Sequence, residues 1–191
     1  MASVLKVDKL DPQSGTALEI GTSGDTITIP SGATIVNSGT ATGFGTAGNS
    51  IVIAGMSGDQ TGLADNVFTK IVYDVDTYDP DGLWDTTNAR YTAPAAGRYL
   101  FLARAFVWAA TANGNIVSHR FYKNGSALTS THMSIGMASD HLIISEASLT
   151  ASALLNLAEN DYIEYFVQYN MASGTATCDD VGSEFMGFRL D

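Results

Sequence analysis

The run from Tyr91 to Phe101 constrains the fold of this chain more than any other part of the sequence. It reads Tyr-Thr-Ala-Pro-Ala-Ala-Gly-Arg-Tyr-Leu-Phe. The pattern predicts a strand that ends near Tyr91, a corner built from Pro94 and Gly97, and a second strand that begins at Arg98. Apolar residues alternate along this second strand as far as Trp108. The run therefore indicates an all-β fold in which the strand packs against a second layer.

The rest of the second half shows the same strand-and-turn pattern. From about Gln60 onward we count about eight strands separated by Gly, Pro and Asn turns, with no convincing helix. This pattern is typical of an antiparallel β-sandwich, and a jelly roll is the arrangement we expect. Besides the strand that ends near Tyr91, the predicted strands are 66–73, 98–108, 116–122, 141–149, 154–157, 162–169 and 184–190, with a turn-rich loop over 74–85.

Four short motifs in this half resemble the tumour-necrosis-factor-like jelly roll of the complement globular heads. The Tyr91–Phe101 run is similar to the Phe-Thr-Ala-Pro-x-x-Gly-x-Tyr-x-Phe motif of that family, and Lys123-Asn-Gly125 matches its Lys-Asn-Gly turn. The segment 155–163 matches a turn in which Asn160 replaces Gly, and 185–190 resembles the terminal Phe-x-Gly-Phe strand. The resemblance implies a trimeric knob, with aromatic residues along the threefold axis, that binds other molecules and performs no chemistry.

Residues 1–58 have a different residue pattern from the rest of the chain, and this pattern predicts an arm or stalk. Short apolar pairs such as Leu18-x-Ile20 and Ile27-x-Ile29 recur at intervals of 9 and 8 residues, and turn clusters rich in Gly, Ser and Thr follow them. Each predicted strand offers one or two apolar residues, which is too few to close a core alone. The arm is expected to bury these residues against two further copies or a larger partner. Its repeats are similar to those of fibre proteins of tailed bacteriophages.

The charge balance limits the classes of partner that this chain can bind. The formal net charge is −11, with 9 basic and 20 acidic residues, so nucleic acid and anionic membranes are not expected as partners. No apolar run approaches the roughly 20 residues of a membrane helix. The N-terminal residues lack a signal-peptide core, which predicts synthesis and folding in a cytoplasm. The lone Cys178 is expected to be a small buried side chain.

The acidic loop after Tyr73 is the best metal candidate. Asp76, Asp79 and Asp81 lie close together in a turn-rich segment, and calcium is the cation that such carboxylates favour. The spacing does not match an EF-hand loop, and ordinary Asp-Pro and Asp-Gly turns explain the same residues more simply. The pair Asp179-Asp180 is a weaker candidate. No other cofactor is expected.

Two aromatic residues beside this loop, Tyr78 and Trp84, are candidates for contact with a receptor. Flat aromatic faces suit sugar rings and protein hot spots, although Trp84 is expected more strongly to pack over the end of the sandwich or at the trimer axis. The three histidines, His119, His132 and His141, do not have metal-ligand spacing, and no nucleophile motif or phosphate loop occurs. Catalytic activity is not expected.

These features predict a non-enzymatic virion structural protein of a bacteriophage. The chain would be a homotrimeric short tail or head fibre, whose arm binds other virion proteins and whose knob, residues 59–191, contacts the host surface, with a glycan as one receptor type. The first alternative is a capsid decoration (cement) protein that stabilises the head. The second is a complement-type adhesive module of a cell-surface protein, against which the missing signal peptide and the missing collagen-like Gly repeat argue.

Overall fold

The structure is a computed structural model of the 191-residue chain. It describes residues 20, 22–28, 30–34, 36, 38, 50–109, 116–136, 146–171 and 174–190. The chain divides into two compact units, Met1–Phe44 and Gly45–Asp191. Predictions for Leu18, Ile29, Ile35 and for the strand segment 141–145 lie outside the described residues.

The second unit is a sandwich of two antiparallel sheets, as the sequence predicts. Its helical content among the described residues is one 3₁₀ turn at Thr129–Thr131. The strands are β1 (Ile51–Gly55), β2 (Gln60–Ala64), β3 (Thr69–Lys70), β4 (Val75–Tyr78), β5 (Trp84–Asp85), β6 (Arg90–Thr92), β7 (Gly97–Trp108), β8 (Ile116–Lys123), β9 (Ser126–Ala127), β10 (Met133–Gly136), β11 (Glu146–Leu157), β12 (Tyr162–Asn170) and β13 (Thr175–Arg189).

The two sheets differ in strand length and order. The six-stranded sheet, here called the front sheet, has the order β11-β7-β13-β1-β4, with β2 also paired to β13. The seven-stranded back sheet has the order β10-β8-β12-β6-β5, with β3 on β12 and β9 on β8. Neighbours in space are mostly distant in sequence, so chain connections cross from one sheet to the other, as in a jelly roll.

Several strands differ in extent from the sequence prediction. Ile51–Gly55, which the sequence pattern places in the arm, is a strand of the front sheet because it pairs with β13 on one side and β4 on the other. The predicted strand 66–73 is reduced to Thr69–Lys70, and Asn66, at its predicted start, adopts a left-handed φ of 56° that interrupts the extended backbone there. The segment 146–157 is one continuous strand that pairs with β7 along its whole length.

The core between the sheets is largely aromatic. Tyr91, Tyr99, Phe101, Phe121 and Phe185 are fully buried, and ring centroids in this group lie 5.2 to 6.3 Å apart. These separations are those of favourable edge-to-face and offset packing. The alternation predicted for β7 is confirmed, because its odd-numbered residues from 99 to 107 are all buried.

Asp161 links two turns at one end of the sandwich through hydrogen bonds and an ion pair. The carboxylate accepts hydrogen bonds from Asn124 Nδ2 at 2.6 Å and from the Ala158 backbone N–H at 2.7 Å, and it lies 2.6 Å from Lys123 Nζ. The turn residues Asn124 and Asn160 adopt the positive φ values, 51° and 66°, that the sequence motifs predict. These contacts lower the pKa of Asp161 to about 2, with the hydrogen bond from Lys123 as the largest cause.

Replacement of Asp161 by asparagine is expected to remove a pH-dependent part of the stability. Because the folded pKa is about 2 and the ordinary value is 3.8, ionised Asp161 stabilises the fold above pH 4, and this contribution disappears as the pH falls toward 2. Urea unfolding of both proteins should show D161N less stable at pH 7 by about 1–3 kcal/mol. A stability difference that stays constant from pH 5 to pH 2 would contradict the assignment.

The first unit contains the turns that its sequence predicts. Asp25 N–H donates to Thr22 O at 3.0 Å, and Ala33 N–H donates to Pro30 O at 3.0 Å. The Asp25 carboxylate accepts from the Thr22 N–H and hydroxyl, which lowers the pKa of Asp25. The described apolar residues of this unit lie open to solvent: Ile20 is 61% exposed, Ile27 60% and Val36 83%.

Candidate functional site

The outer face of the front sheet carries two adjoining rows of apolar side chains. The strand register places Leu154, Leu100, Phe188 and Ile51 side by side across β11, β7, β13 and β1. The next row holds Ser152, Leu102, Met186 and Ile53. We call the seven apolar residues of these rows the front-face patch: Ile51, Ile53, Leu100, Leu102, Leu154, Met186 and Phe188.

The front-face patch is only partly covered within one chain. Leu154 is 64% exposed, and the six other members are half-buried, while their neighbours along each strand point into the core. Antiparallel sheets that face water on one side usually alternate apolar-in and polar-out. Here both faces of β7 and β13 are apolar. A contiguous exposed apolar surface of this kind marks an interaction site, so we take the patch as a candidate protein interface.

A polar row limits the patch on one side. Arg104 Nη2 lies 3.9 Å from Glu184 Oε1, and Thr150 stands beside Arg104 in the register. An apolar centre with a polar rim is the usual anatomy of a protein interface.

The acidic loop has its predicted residues in three different settings. Asp76 lies in the edge strand β4, opposite Ala54, and Asp81 is exposed in the following turn. Asp79 Oδ2 accepts the Trp84 backbone N–H at 2.7 Å, which is ordinary turn chemistry. These three residues are not a group whose ligand atoms lie within 4.8 Å of one another, and calcium binding there stays a prediction.

The acidic side chains that do come together belong to two other segments. Oxygens of Asp59, Asp179 and Asp180 lie within 4.8 Å of one another. Asp59 Oδ1 accepts the Asp180 backbone N–H at 3.1 Å, so a hydrogen bond within the cluster accounts for part of this proximity. The contribution of Asp59 was not visible in sequence, because about 120 residues separate it from the pair.

The two aromatic candidates near this loop have different surroundings. Trp84 is 7% exposed, its ring lies 4.7 Å from that of Phe185, and its indole N–H donates to Tyr73 O at 3.0 Å. It therefore packs in the core and offers no face to a receptor. Tyr78 is 52% exposed on β4 and keeps a surface for contact.

The outer face of the back sheet carries a cluster that the sequence did not reveal. Arg120 Cζ lies 3.6 Å from the ring centroid of Phe68 and 5.5 Å from that of Tyr122. Tyr122 stacks on Phe166 at 3.8 Å, and Phe68 contacts the ring of His132 edge-on at 5.8 Å. We call these five residues the back-face cluster. Its available signal was the alternation of β8, which places Arg120 and Tyr122 on one face.

The buried nucleophile and the histidines do not form a site together. Cys178 is fully buried, as predicted, and this burial raises the pKa of its thiol to about 11, so the thiolate is scarce at neutral pH. His119 is buried in β8, His132 is exposed after the 3₁₀ turn, and His141 lies outside the described residues. Among the described residues, no helix is long and apolar enough to cross a membrane.

Comparison with solved structures identifies the fold as a tumour-necrosis-factor-like jelly roll. The structure titled Eiger TNF from S. frugiperda superposes with a TM-score of 0.54 at 14% sequence identity. The match covers 74% of this chain and 92% of that chain. The fold that the sequence motifs predict is thus confirmed. No protein-family model matches the sequence, and a search of curated proteins finds no match.

Proposed function

We propose that this chain is a non-enzymatic structural protein of a bacteriophage virion, a homotrimeric short fibre whose knob attaches to the host surface. It is made in the host cytoplasm and functions on the particle. The front-face patch is the observation that carries the proposal. Its exposed apolar side chains would be stabilised by burial against another protein surface.

Further copies of the same chain fit this patch better than an unrelated partner. The patch spans four strands and has a polar rim, and it contains Phe188, an aromatic residue of the kind that the resemblance places along a threefold axis. Burial of apolar surface contributes roughly 25 cal/mol per Å², so two rows of aliphatic and aromatic side chains are a substantial driving force. Closed symmetry also prevents open-ended growth.

The first unit supports the fibre part of the proposal. Its exposed Ile20, Ile27 and Val36 would gain stability from burial against other chains. The turns at Thr22–Asp25 and Pro30–Ala33 keep these residues in short segments rather than in a core of their own. We infer that three such arms pack together or against other virion proteins.

The oligomer is tested with a charge placed in the patch. The full chain has a mass of 20.1 kDa, and light scattering of the purified protein should give a particle of about 60 kDa, three times that mass. The variant L102R should be monomeric or strongly dissociated, because an unpaired guanidinium would be buried at the interface. The control T87R adds the same charge at an exposed loop and should remain trimeric. A monomeric wild-type chain would overturn the trimer.

The location on the particle is tested separately. Antibodies raised against the purified chain should label fibres of phage particles in a lysate that expresses this sequence. Label spread over the capsid faces would favour the decoration protein, and particles without label would contradict a virion role.

A further inference from the structure

We infer that the back-face cluster binds a carboxylate-bearing sugar, with Arg120 as the residue that receives the carboxylate. The inference rests on the proposed attachment function and names the class of receptor. The binding surface is then the outer face of the back sheet, away from both Trp84 and the front-face patch.

In the described part of the chain, Arg120 lacks the acidic partner that four other basic residues of the sandwich have. Lys70, Arg90, Arg104 and Lys123 each lie within 4.0 Å of a carboxylate oxygen. Among the residues that the structure describes, no carboxylate reaches Arg120, and its buried Nε–H has no hydrogen-bond acceptor. A half-buried cation without a partner costs stability, and in a chain of net charge −11 acidic partners are plentiful. The Nε–H itself is closed to solvent, so a ligand anion would offset this cost through the terminal Nη groups of Arg120.

Aromatic neighbours on two sides position the guanidinium of Arg120. Phe68 lies against the guanidinium at 3.6 Å, which is a close cation–π contact. The N–H groups of a guanidinium lie in its own plane, so a guanidinium that stacks on a ring keeps them free of that ring. A planar guanidinium held in this way is well suited to a carboxylate, which accepts two parallel hydrogen bonds from it.

The rest of the cluster fits the ring of a sugar. Tyr122 and Phe166 stack at 3.8 Å with an interplanar angle of 28°, and both are half-buried, so part of each ring remains at the surface. The C–H face of a pyranose packs on such an aromatic surface by ordinary apolar burial.

Polar groups for sugar hydroxyls border the cluster. Ser134 Oγ lies 3.1 Å from His132 Nε2 and 2.7 Å from Ser118 Oγ, on the β10 side of Arg120. These are the few convergent polar groups that orient a ligand in a largely apolar site.

Charge complementarity selects a single carboxylate over a polyanion. One guanidinium neutralises one acid group, whereas a phosphate chain would meet the repulsion of the net negative protein at every further charge. A neutral sugar would use the aromatic rings but would leave Arg120 unpaired.

The test compares two sugars that differ only in the acid group. Saturation-transfer NMR on the full wild-type chain should show binding of methyl β-D-glucuronide that is at least about tenfold tighter than that of methyl β-D-glucoside, the size of one charge-assisted contact. R120Q should abolish this preference, and R120K should weaken it, since an ammonium loses the bidentate geometry. The control R90Q removes a cation that also lies over an aromatic ring, 4.6 Å from the centroid of Tyr162, and the preference should persist in this variant. Thermal unfolding of each variant verifies that the fold is intact.

Three results would overturn the inference. They are equal binding of the two sugars, no glucuronide signal at 20 mM, and a preference that survives in a folded R120Q variant. None of them affects the proposed virion role, because particle labelling and the trimer mass do not depend on Arg120. If labelling fails while the glucuronide binds through Arg120, the site stands and the virion role falls.

Discussion

Replacing Gly187 with alanine is expected to destabilise the sandwich by about 1–3 kcal/mol. A Cβ at this position would lie 3.0 Å from Tyr91 Cδ2 and 3.1 Å from Phe101 Cε1. Both rings are fully buried in the aromatic core, so neither has free space into which it can move. For a domain of this size the loss corresponds to a fall in Tm of about 2–12 °C, measured by thermal unfolding at fixed protein concentration.

The control for this prediction is Gly58. A Cβ there would meet nothing within 4 Å, and the backbone φ of Gly58 is outside the left-handed range, as is that of Gly187. G58A is therefore expected to be neutral or to stabilise by about 0.4–1 kcal/mol through the unfolded state. In a double-mutant cycle, G187A should cost less in the Y91L background than in the wild-type chain, because the smaller side chain frees space beside the new methyl group. If G187A and G58A unfold at the same temperature, the close approach of Tyr91 does not explain why glycine occupies position 187.

The close approach of Tyr91 to β13 explains why the terminal Phe-x-Gly-Phe motif contains a glycine. The terminal Phe-Met-Gly-Phe segment alternates between the core and the outer face, and Gly187 lies where the ring of Tyr91 crosses β13. Tyr91 itself opens the run that predicted the fold. Two of the motifs that carry the family resemblance therefore contact each other across the sandwich.

Local chemistry made the strands and turns predictable from sequence. Alternation identified the buried side of β7, and Asn-Gly and Asn160 marked turns that need a positive φ. The extent of the sandwich was harder to read, because the pair Ile51-x-Ile53 has the same pattern as the pairs of the arm. Only its long-range pairing with β13 and β4 places it in the front sheet.

The candidate sites could not be read from sequence for the same reason. Leu100 and Leu102 are as apolar as the core residues beside them. The pattern alone therefore does not show that these two side chains lie on the outer face of β7. The back-face cluster joins Phe68, Arg120 and Phe166, which are 46 to 98 residues apart in sequence. Trp84 lies in the core, where its indole N–H donates to Tyr73 O, and the sequence favoured such packing over contact with a receptor.

Acidification below pH 6.5 is expected to destabilise the sandwich because of His119. The His119 side chain is 1% exposed, neither ring nitrogen has a hydrogen-bond partner, and the ring of Tyr165 lies 5.8 Å away. Burial, and then the charge of His132, lowers the pKa of His119 below the ordinary value of 6.5. Below pH 6.5 His119 is protonated more readily in the unfolded chain than in the folded chain. The free energy of unfolding therefore falls as the pH falls through this range.

Urea unfolding between pH 7 and pH 5.5 measures the effect of this proton. The free energy of unfolding of the wild-type chain should fall by about 1 kcal/mol over this interval. That of H119L, which has an apolar side chain of similar size at this position, should hardly change. The interval ends above pH 5 because the described aspartates with shifted pKa values, such as Asp74, Asp85 and Asp161, titrate lower. H132Q alters an exposed histidine and should keep most of the wild-type slope. Equal slopes in wild type and H119L would mean that His119 is protonated as easily in the folded chain as in the unfolded one, which its burial without a partner does not permit.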